Sequence, residues 1–77
     1  MTTQDRLNAI FVRVFNDPDL QIRPEMTANE VDGWDSLSHM NLIVAVEIEF
    51  GIKFSSREIL SFKNIGDLIR SIEGKTK

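Results

Sequence analysis

Cysteine is absent from this 77-residue chain, which excludes disulfide bonds and thiolate metal sites. Any thiol chemistry would therefore have to come from a group added to the protein. The chain also has no run of about 18 apolar residues, and its N-terminus lacks the basic-then-apolar pattern of a signal peptide. From these absences we expect a cytoplasmic location and no membrane insertion.

A strongly basic segment is missing as well. The net charge is −3, and it is unevenly spread: the first 35 residues hold seven acids against three arginines, and the remainder holds five acids against six bases. Nucleic-acid binding requires a concentration of positive charge, so we expect no nucleic-acid partner. The acidic first half favours a basic partner protein instead. The length predicts a single domain over residues 1–77, which we expect to be a monomer.

Apolar spacing predicts an all-α fold. The first part of the chain carries one apolar stripe at intervals of three and four residues: Leu7, Ile10, Phe11, Val14 and Phe15. Thr2 or Thr3 can cap this helix, and Pro18 ends it because a residue before proline is pushed out of the helical region. A second helix is predicted from Ser36 to about Phe50, with a stop at Gly51.

Capping signals predict two further helices. Ser55 and Glu58 form a capping box that begins a third helix, which is short because residues 61–64 interrupt it. Asn64 caps a fourth helix, and its end is predicted at Gly74. The expected fold is therefore a four-helix bundle with a short third helix and a long loop between helices one and two.

Residues 17–35 show no regular period. A structureless loop of this length is uncommon in a compact domain and is usually functional. We interpret it as a packed loop that leads into Ser36. Four apolar side chains are expected to hold it down: Leu20, Ile22, Met26 and Val31.

Helix two is apolar on two nearly opposite sides. One stripe consists of Leu42, Ile43, Val46 and Phe50, and the other of Leu37, Met40, Val44 and Ile48. An offset of two residues corresponds to about 200° around the helix axis. Two interpretations stay open. Helix two is the central buried helix of the bundle, or its second stripe is partly exposed beside Ser36 and binds partners, for which methionine is well suited.

Ser36 also has two interpretations. An Asp-Ser pair at the start of a helix is, in most proteins, only a cap. A phosphate ester on Ser36 would, however, be stabilised by the free N–H groups and the dipole of the helix, and the long loop would leave the hydroxyl accessible to a modifying enzyme. No paired acids, serine–histidine set or glycine-rich phosphate loop can be assembled convincingly, so we do not expect an enzyme.

The region around Ser36 resembles the phosphopantetheine attachment region of acyl carrier proteins. The resemblance rests on Gly33-Trp34-Asp35-Ser36-Leu37 and on the helix that ends in Val46-Glu47-Ile48-Glu49-Phe50-Gly51-Ile52. Chain length, the position of the serine, the helix order and the closing Ile65-Gly66-Asp67-Leu68 segment agree too. The resemblance therefore covers essentially the whole chain.

The resemblance implies that Ser36 receives a covalent 4′-phosphopantetheine arm from coenzyme A, added by a phosphopantetheinyl transferase. The thiol of the arm would carry an acyl group as a thioester for acyl-loading and acyl-processing enzymes, and the chain itself would catalyse nothing. Five residues are implied to take part in partner recognition: Asp35, Leu37, Met40, Val44 and Glu47.

Helix two departs from the family members that serve bacterial fatty-acid synthesis, whose second helix is strongly acidic. Here Ser38, His39, Asn41 and Ile48 occupy the helix, and its acids are Asp35, Glu47 and Glu49. We therefore expect a specialised carrier for a polyketide, an unusual lipid or a similar pathway, rather than housekeeping fatty-acid biosynthesis. Two alternatives stay open: an aminoacyl or peptidyl carrier with the same serine motif, and an unmodified helical interaction module.

Three remaining features are interpreted individually. His39 has no second ligand or nucleophile at a suitable spacing, so we expect a surface residue that tunes partner contact near neutral pH. Trp34 is predicted to pack the loop against the helix start rather than to contact a partner, because an indole is costly to expose. The segment Lys75-Thr76-Lys77 is expected to be a solvated tail.

Overall fold

The computed structural model describes residues 2–76, and all regular secondary structure within them is helical. Helix α1 spans Thr3–Phe15, α2 spans Ser36–Phe50, α3 spans Ser56–Ser61 and α4 spans Ile65–Thr76, and a short 3₁₀ turn covers Ala28–Glu30. The predicted all-α fold, with a short third helix and a long loop between the first two, is confirmed. Within the described residues, no helix is both long and apolar enough to cross a membrane.

Helix α1 begins and ends at its capping residues. The Thr2 hydroxyl accepts a hydrogen bond from the Asp5 N–H at 3.1 Å, and the Thr2 N–H donates to the Asp5 carboxylate at 3.2 Å. This reciprocal pair satisfies two amides that the helix leaves free. At the other end, Asn16 adopts a left-handed conformation with φ of 52°, which asparagine tolerates better than most residues. The predicted end of the helix before Pro18 is confirmed.

Two polar side chains of α1 hold the long loop in place. The Asn8 side chain donates to the Leu20 carbonyl at 3.1 Å and accepts from the Ile22 N–H at 2.7 Å. The Gln4 side chain donates to the Ile22 carbonyl at 3.1 Å. Of the four predicted apolar anchors, Leu20 is half-buried and the others are buried in the core: Ile22, Met26 and Val31. The loop is therefore packed, as predicted, but it is also hydrogen-bonded.

The same loop caps the amino end of α4. The Ile65 N–H donates to the Met26 carbonyl at 2.9 Å, and the Gly66 N–H donates to the Pro24 carbonyl at 2.7 Å. The side chain of Asn64, the predicted cap, accepts a hydrogen bond from the Asp67 N–H at 2.8 Å. Three N–H groups that a helix start leaves free are thus satisfied, two of them by the distant loop.

The core lies between α1, α2 and α4. Leu42, Ile43 and Val46 of α2 are at most 1% exposed, and they pack against buried residues of the other two helices: Leu7, Ile10, Phe11, Ile65, Leu68 and Ile72. Phe50, the last residue of this stripe, is half-buried with the Arg6 guanidinium 4.3 Å from its ring centroid. One apolar stripe of α2 therefore faces the core.

Helix α3 begins with a capping box, and the glutamate of that box also pairs with Lys75 of α4. The Glu58 N–H donates to the Ser55 hydroxyl at 3.1 Å, and the Ser55 N–H donates back to the Glu58 carboxylate at 2.9 Å. This backbone hydrogen bond and the ammonium of Lys75 lower the pKa of Glu58. The predicted start of the third helix is confirmed.

Helix α4 continues beyond its predicted end. It runs through Gly74 to Thr76, so the predicted stop at Gly74 is wrong, and Lys75 does not belong to a solvated tail. The Lys75 ammonium lies 3.0 Å from the Glu58 carboxylate and 5.6 Å from the ring centroid of Phe54. A glycine inside a helix costs roughly 1 kcal/mol relative to alanine. The contacts of Lys75 offset this cost at Gly74, so the helix continues. Lys77 lies outside the described residues.

Candidate functional site

Ser36 is the first residue of α2, and it is exposed. The N-cap is Asp35, whose carboxylate accepts from the Ser38 N–H at 2.9 Å. Just before it, the Asp35 N–H donates to the Gly33 carbonyl at 3.1 Å, and Gly33 has φ of 86°, a conformation that glycine adopts at little steric cost. Because Asp35 performs the capping, Ser36 is not needed as a cap.

The Asp35 cap should make the start of α2 sensitive to acid. Hydrogen bonds from the Ser38 backbone and side chain hold the pKa of Asp35 below its ordinary value. As the pH falls, the Asp35 carboxylate is therefore protonated in the unfolded chain before it is protonated in the folded one. Its contribution to the free energy of unfolding is present above about pH 4 and is lost as the pH falls through the pKa of Asp35 in the folded protein. We expect the free energy of unfolding, measured by urea denaturation, to fall less on acidification in Asp35→Asn than in the wild type. An equal fall in both proteins would show that the cap does not titrate in this way.

Trp34 packs against α1. Its ring lies edge-on to Phe11, with 5.3 Å between ring centroids, and 6.0 Å from the ring of Phe15. The side chain is half-buried. The predicted packing role is confirmed, and these contacts attach the loop to the core two residues before Ser36.

His39 joins Trp34 to α3. The Trp34 Nε1–H donates to His39 Nδ1 at 3.1 Å, and His39 Nε2 lies 3.1 Å from the carbonyl oxygen of Ile59. The two rings are stacked, with 6.0 Å between centroids and an interplanar angle of 23°. His39 is half-buried, so it is less exposed than expected, and its effect on partner contact stays a prediction. No local sequence pattern signals this contact, because Ile59 is 20 residues away.

A cavity of about 380 Å³ opens beside Ser36. The loop, the first turn of α2 and the segment around α3 form its walls, and its lining residues include Trp34, Ser36, His39, Ile59, Phe62 and Lys63. Lys63 brings a cation to the cavity, which suits a phosphate, and the aromatic and aliphatic side chains suit an organic chain. These residues fit a phosphate-linked group attached to the serine.

The second stripe of α2 faces solvent. Its side chains are 48–78% exposed, and we call these four residues the exposed apolar surface: Leu37, Met40, Val44 and Ile48. This result decides against a fully buried second helix. Leu60 of α3 is 85% exposed; the sequence did not single it out, because one leucine in a six-residue helix produces no periodic signal.

Four of the five residues predicted to recognise partners are exposed: Asp35, Leu37, Met40 and Val44. The fifth, Glu47, is half-buried, and its carboxylate accepts from the Phe54 N–H at 2.8 Å. Glu47 therefore holds the connection between α2 and α3. Partner recognition by all five residues stays a prediction.

The structure thus places an exposed serine at the amino end of a long helix, beside a cavity. Residues 5–72 match the family model described as phosphopantetheine attachment site. The chain belongs to this family, the acyl carrier proteins, whose prosthetic group is phosphopantetheine. Members of the family are carriers that modifying and acyl-processing enzymes act on, and they are not themselves catalytic.

Individual relatives agree with this assignment. The chain is 29% identical over 73 residues to the acyl carrier protein of Helicobacter pylori, covering 95% of this chain and 94% of that protein. It is 42% identical over 45 residues to an acyl carrier protein homolog of Ureaplasma parvum, a match that spans only 58% of each chain. The solution structure of holo acyl carrier protein from Geobacter metallireducens has a TM-score of 0.90 and 47% identity, covering 97% of this chain and 86% of that one.

Proposed function

We propose that residues 1–77 form one carrier domain, in which Ser36 bears the phosphopantetheine and holds acyl intermediates on it. The observation that supports this most directly is the arrangement at the start of α2. Asp35 caps the helix, so the Ser36 hydroxyl is not used as a cap and is exposed at the edge of the cavity. When bound, the prosthetic group supplies a terminal thiol that holds the acyl group as a thioester.

The residues around Ser36 suit the transfer reaction. The Ser36 oxygen would form the new bond to the phosphorus that bears the pantetheine while the pyrophosphate bond of coenzyme A breaks. Adenosine 3′,5′-bisphosphate would be the leaving group, and the hydroxyl proton would pass to a base on the transferase. The resulting phosphodiester would lie at the amino end of α2, where free N–H groups and the helix dipole stabilise an anion. Lys63, on the same cavity, adds a positive charge.

Mass spectrometry of the intact protein tests this proposal. After incubation with coenzyme A and a phosphopantetheinyl transferase of broad specificity, the wild type should gain the mass of one phosphopantetheine, and Ser36→Ala should gain nothing. Ser38→Ala, which removes the neighbouring hydroxyl of the same helix turn, is the matched control and should be modified. A gain in mass on folded Ser36→Ala, or none on the wild type, would overturn the proposal.

We further propose that the carrier serves a specialised lipid or polyketide pathway. The acids of α2 are engaged within the chain: Glu47 accepts from the Phe54 N–H, and Glu49 pairs with Arg6 at 3.0 Å. The solvent-facing side of the helix is instead the exposed apolar surface. A partner that binds this side of α2 would make mainly apolar contacts, because few unpaired carboxylates lie there.

Acyl elongation by bacterial fatty-acid synthase enzymes tests the proposed pathway. We expect the acyl group on the modified chain to be elongated much more slowly than on the carrier that normally serves those enzymes. The reason is that the basic docking surfaces of the enzymes would meet few unpaired acids on α2. Equal elongation rates for the two carriers, at matched modification, would contradict a specialised role and leave the proposed attachment at Ser36 intact.

A further inference from the structure

Between Ser36 and Asn64, the unpaired charges of the chain are all positive. The three acids of this segment each bind another group of the chain: Glu47, Glu49 and Glu58. Its three lysine and arginine side chains are exposed, and within the described residues they form no ion pair. We call these three residues the basic edge: Lys53, Arg57 and Lys63. The fold does not use their charges, so the basic edge needs a separate explanation.

Helix α3 and the segment before it lie alongside α2. Near the start of α2, His39 Nε2 lies 3.1 Å from the carbonyl oxygen of Ile59. Near its end, the Glu47 carboxylate accepts from the Phe54 N–H at 2.8 Å. The start of α2 thus meets the end of α3, and the two helices run in opposite directions. Lys53 immediately precedes Phe54, so the basic edge begins beside the end of α2.

The exposed apolar surface lies next to the contact between α2 and α3. His39 and Glu47 make that contact. Met40 and Ile48 each come one residue later, which is a rotation of about 100° around the helix axis. This rotation takes the side chains from the α3 side of the helix to solvent, where they are 48% and 78% exposed. The basic edge therefore borders the exposed apolar surface.

Leu60 extends the apolar surface onto α3. It is 85% exposed, and it lines the cavity together with Ser36 and Lys63. Arg57 lies three residues before Leu60, a spacing that places both side chains on one face of the helix. Apolar side chains at the centre and charged ones at the border are the arrangement of a protein–protein interface. Arginine is also enriched among the residues that contribute most to binding.

We propose that the exposed apolar surface, Leu60 and the basic edge form one docking surface for a partner protein that presents apolar side chains bordered by carboxylates. The partner is an enzyme that acts on the group carried by Ser36, and this clause rests on the proposed function. Complementary charge steers such a partner to the surface and fixes its register.

The loop side of Ser36 carries the opposite charge. Asp32 and Asp35 are exposed there, and the basic groups that the acidic first half of the chain favours on a partner would lie against them. A partner centred on Ser36 would therefore bind in one orientation, with its carboxylates toward α3 and its cations toward the loop.

An anionic membrane is the other surface that exposed apolar and basic side chains can bind. The charges of this chain favour a protein instead. The basic edge has three cations, whereas basic clusters that bind anionic lipids have roughly four to eight. Asp32 and Asp35, on the other side of Ser36, would be repelled by such a membrane, and the whole chain has a net charge of −3.

Two helical peptides with the same leucine face test the docking surface. One carries glutamates on both sides of the leucines, and the other carries lysines at the same positions. In nuclear magnetic resonance titrations of the unmodified chain at about 0.15 M salt, charges more than about 8 Å away are largely screened. We expect the glutamate peptide to bind about five- to tenfold more tightly, the effect of three exposed ion pairs, and to shift the amide signals of Met40, Val44 and Leu60. Equal or tighter binding of the lysine peptide, or no binding of either, would overturn the proposal.

Charge reversal at Arg57 tests the basic edge itself. Arg57→Glu removes one attraction and adds one repulsion, so it should weaken binding of the glutamate peptide by about fivefold. The helix should persist, because an acid in the first turn of α3 suits the helix dipole. Arg13→Glu is the matched control: Arg13 is also exposed, but it lies on α1, and its reversal should change binding by less than about twofold. Equal losses in the two variants would refute a role for the basic edge.

Vesicles of phosphatidylglycerol distinguish a membrane from a protein partner. We expect the unmodified chain to remain in solution when these vesicles are sedimented at the same salt concentration. Sedimentation of the chain with the vesicles would overturn the proposal and assign the surface to a membrane. All three experiments use unmodified chain, so their outcome is independent of whether Ser36 accepts phosphopantetheine.

Discussion

Replacing Leu42 with alanine should lower the free energy of unfolding by about 2–5 kcal/mol, the cost of removing a large side chain from a packed interior. Leu42 is fully buried on the face of α2 that packs against α1 and α4. The loss combines the transfer free energy of the deleted methyl groups with the cavity that remains. Urea denaturation monitored by circular dichroism measures it.

Val44→Ala is the matched control for this prediction. Val44 lies two residues further along the same helix and is 51% exposed, so its truncation should change the free energy of unfolding by less than about 0.5 kcal/mol. Comparable losses for both variants would mean that the second apolar stripe of α2 is covered in solution. In that case the exposed apolar surface would not be available to partners.

Gly66→Ala should destabilise the protein by about 1–3 kcal/mol, as overpacking of a close contact usually does. A Cβ atom at this position would lie 3.0 Å from the Pro24 carbonyl oxygen and 3.2 Å from the Asn64 side-chain oxygen. Neither atom can move freely, because the first accepts from the Gly66 N–H and the second caps α4. The methyl group should therefore push the loop away from the helix, and the thermal or urea midpoint should fall.

Gly74→Ala, in the same helix, should have the opposite sign. A Cβ atom there would meet nothing within 4 Å, and Gly74 lies within the helix rather than after it. Alanine should stabilise α4 by about 0.5–1 kcal/mol, which is the amount by which glycine inside a helix is less stable than alanine. A destabilised Gly74→Ala would support the predicted stop at this glycine and contradict the extended helix.

Helix boundaries were predictable where the signal is local. The capping boxes at Thr2 and Ser55 involve residues three apart in the sequence, so both are readable without the fold. The end of α4 was not predictable, because Lys75 pairs with Glu58, a residue 17 positions earlier. A glycine stop is a weak preference, and a tertiary contact of this kind overrides it.

The site was predictable in outline only. The motif identified the region around Ser36, but Asp35 and Ser36 are both good capping residues, and only the backbone geometry distinguishes them. The exposure of one stripe of α2 depends on which helices lie beside it, which periodicity alone does not reveal. The contacts of His39 and Asn8 with distant carbonyl groups depend on the folded geometry, because a single polar residue carries no pattern.

The hydrogen bonds from Ile65 and Gly66 to the loop at Met26 and Pro24 have a consequence for protein synthesis. The loop that ends at Ser36 obtains two of its supports from residues about 40 positions later in the chain. A nascent chain therefore cannot complete this loop until residue 66 has left the ribosome. Ser36 would thus reach its final geometry only after residue 66 has emerged, which favours modification of the folded domain over modification of a shorter nascent chain.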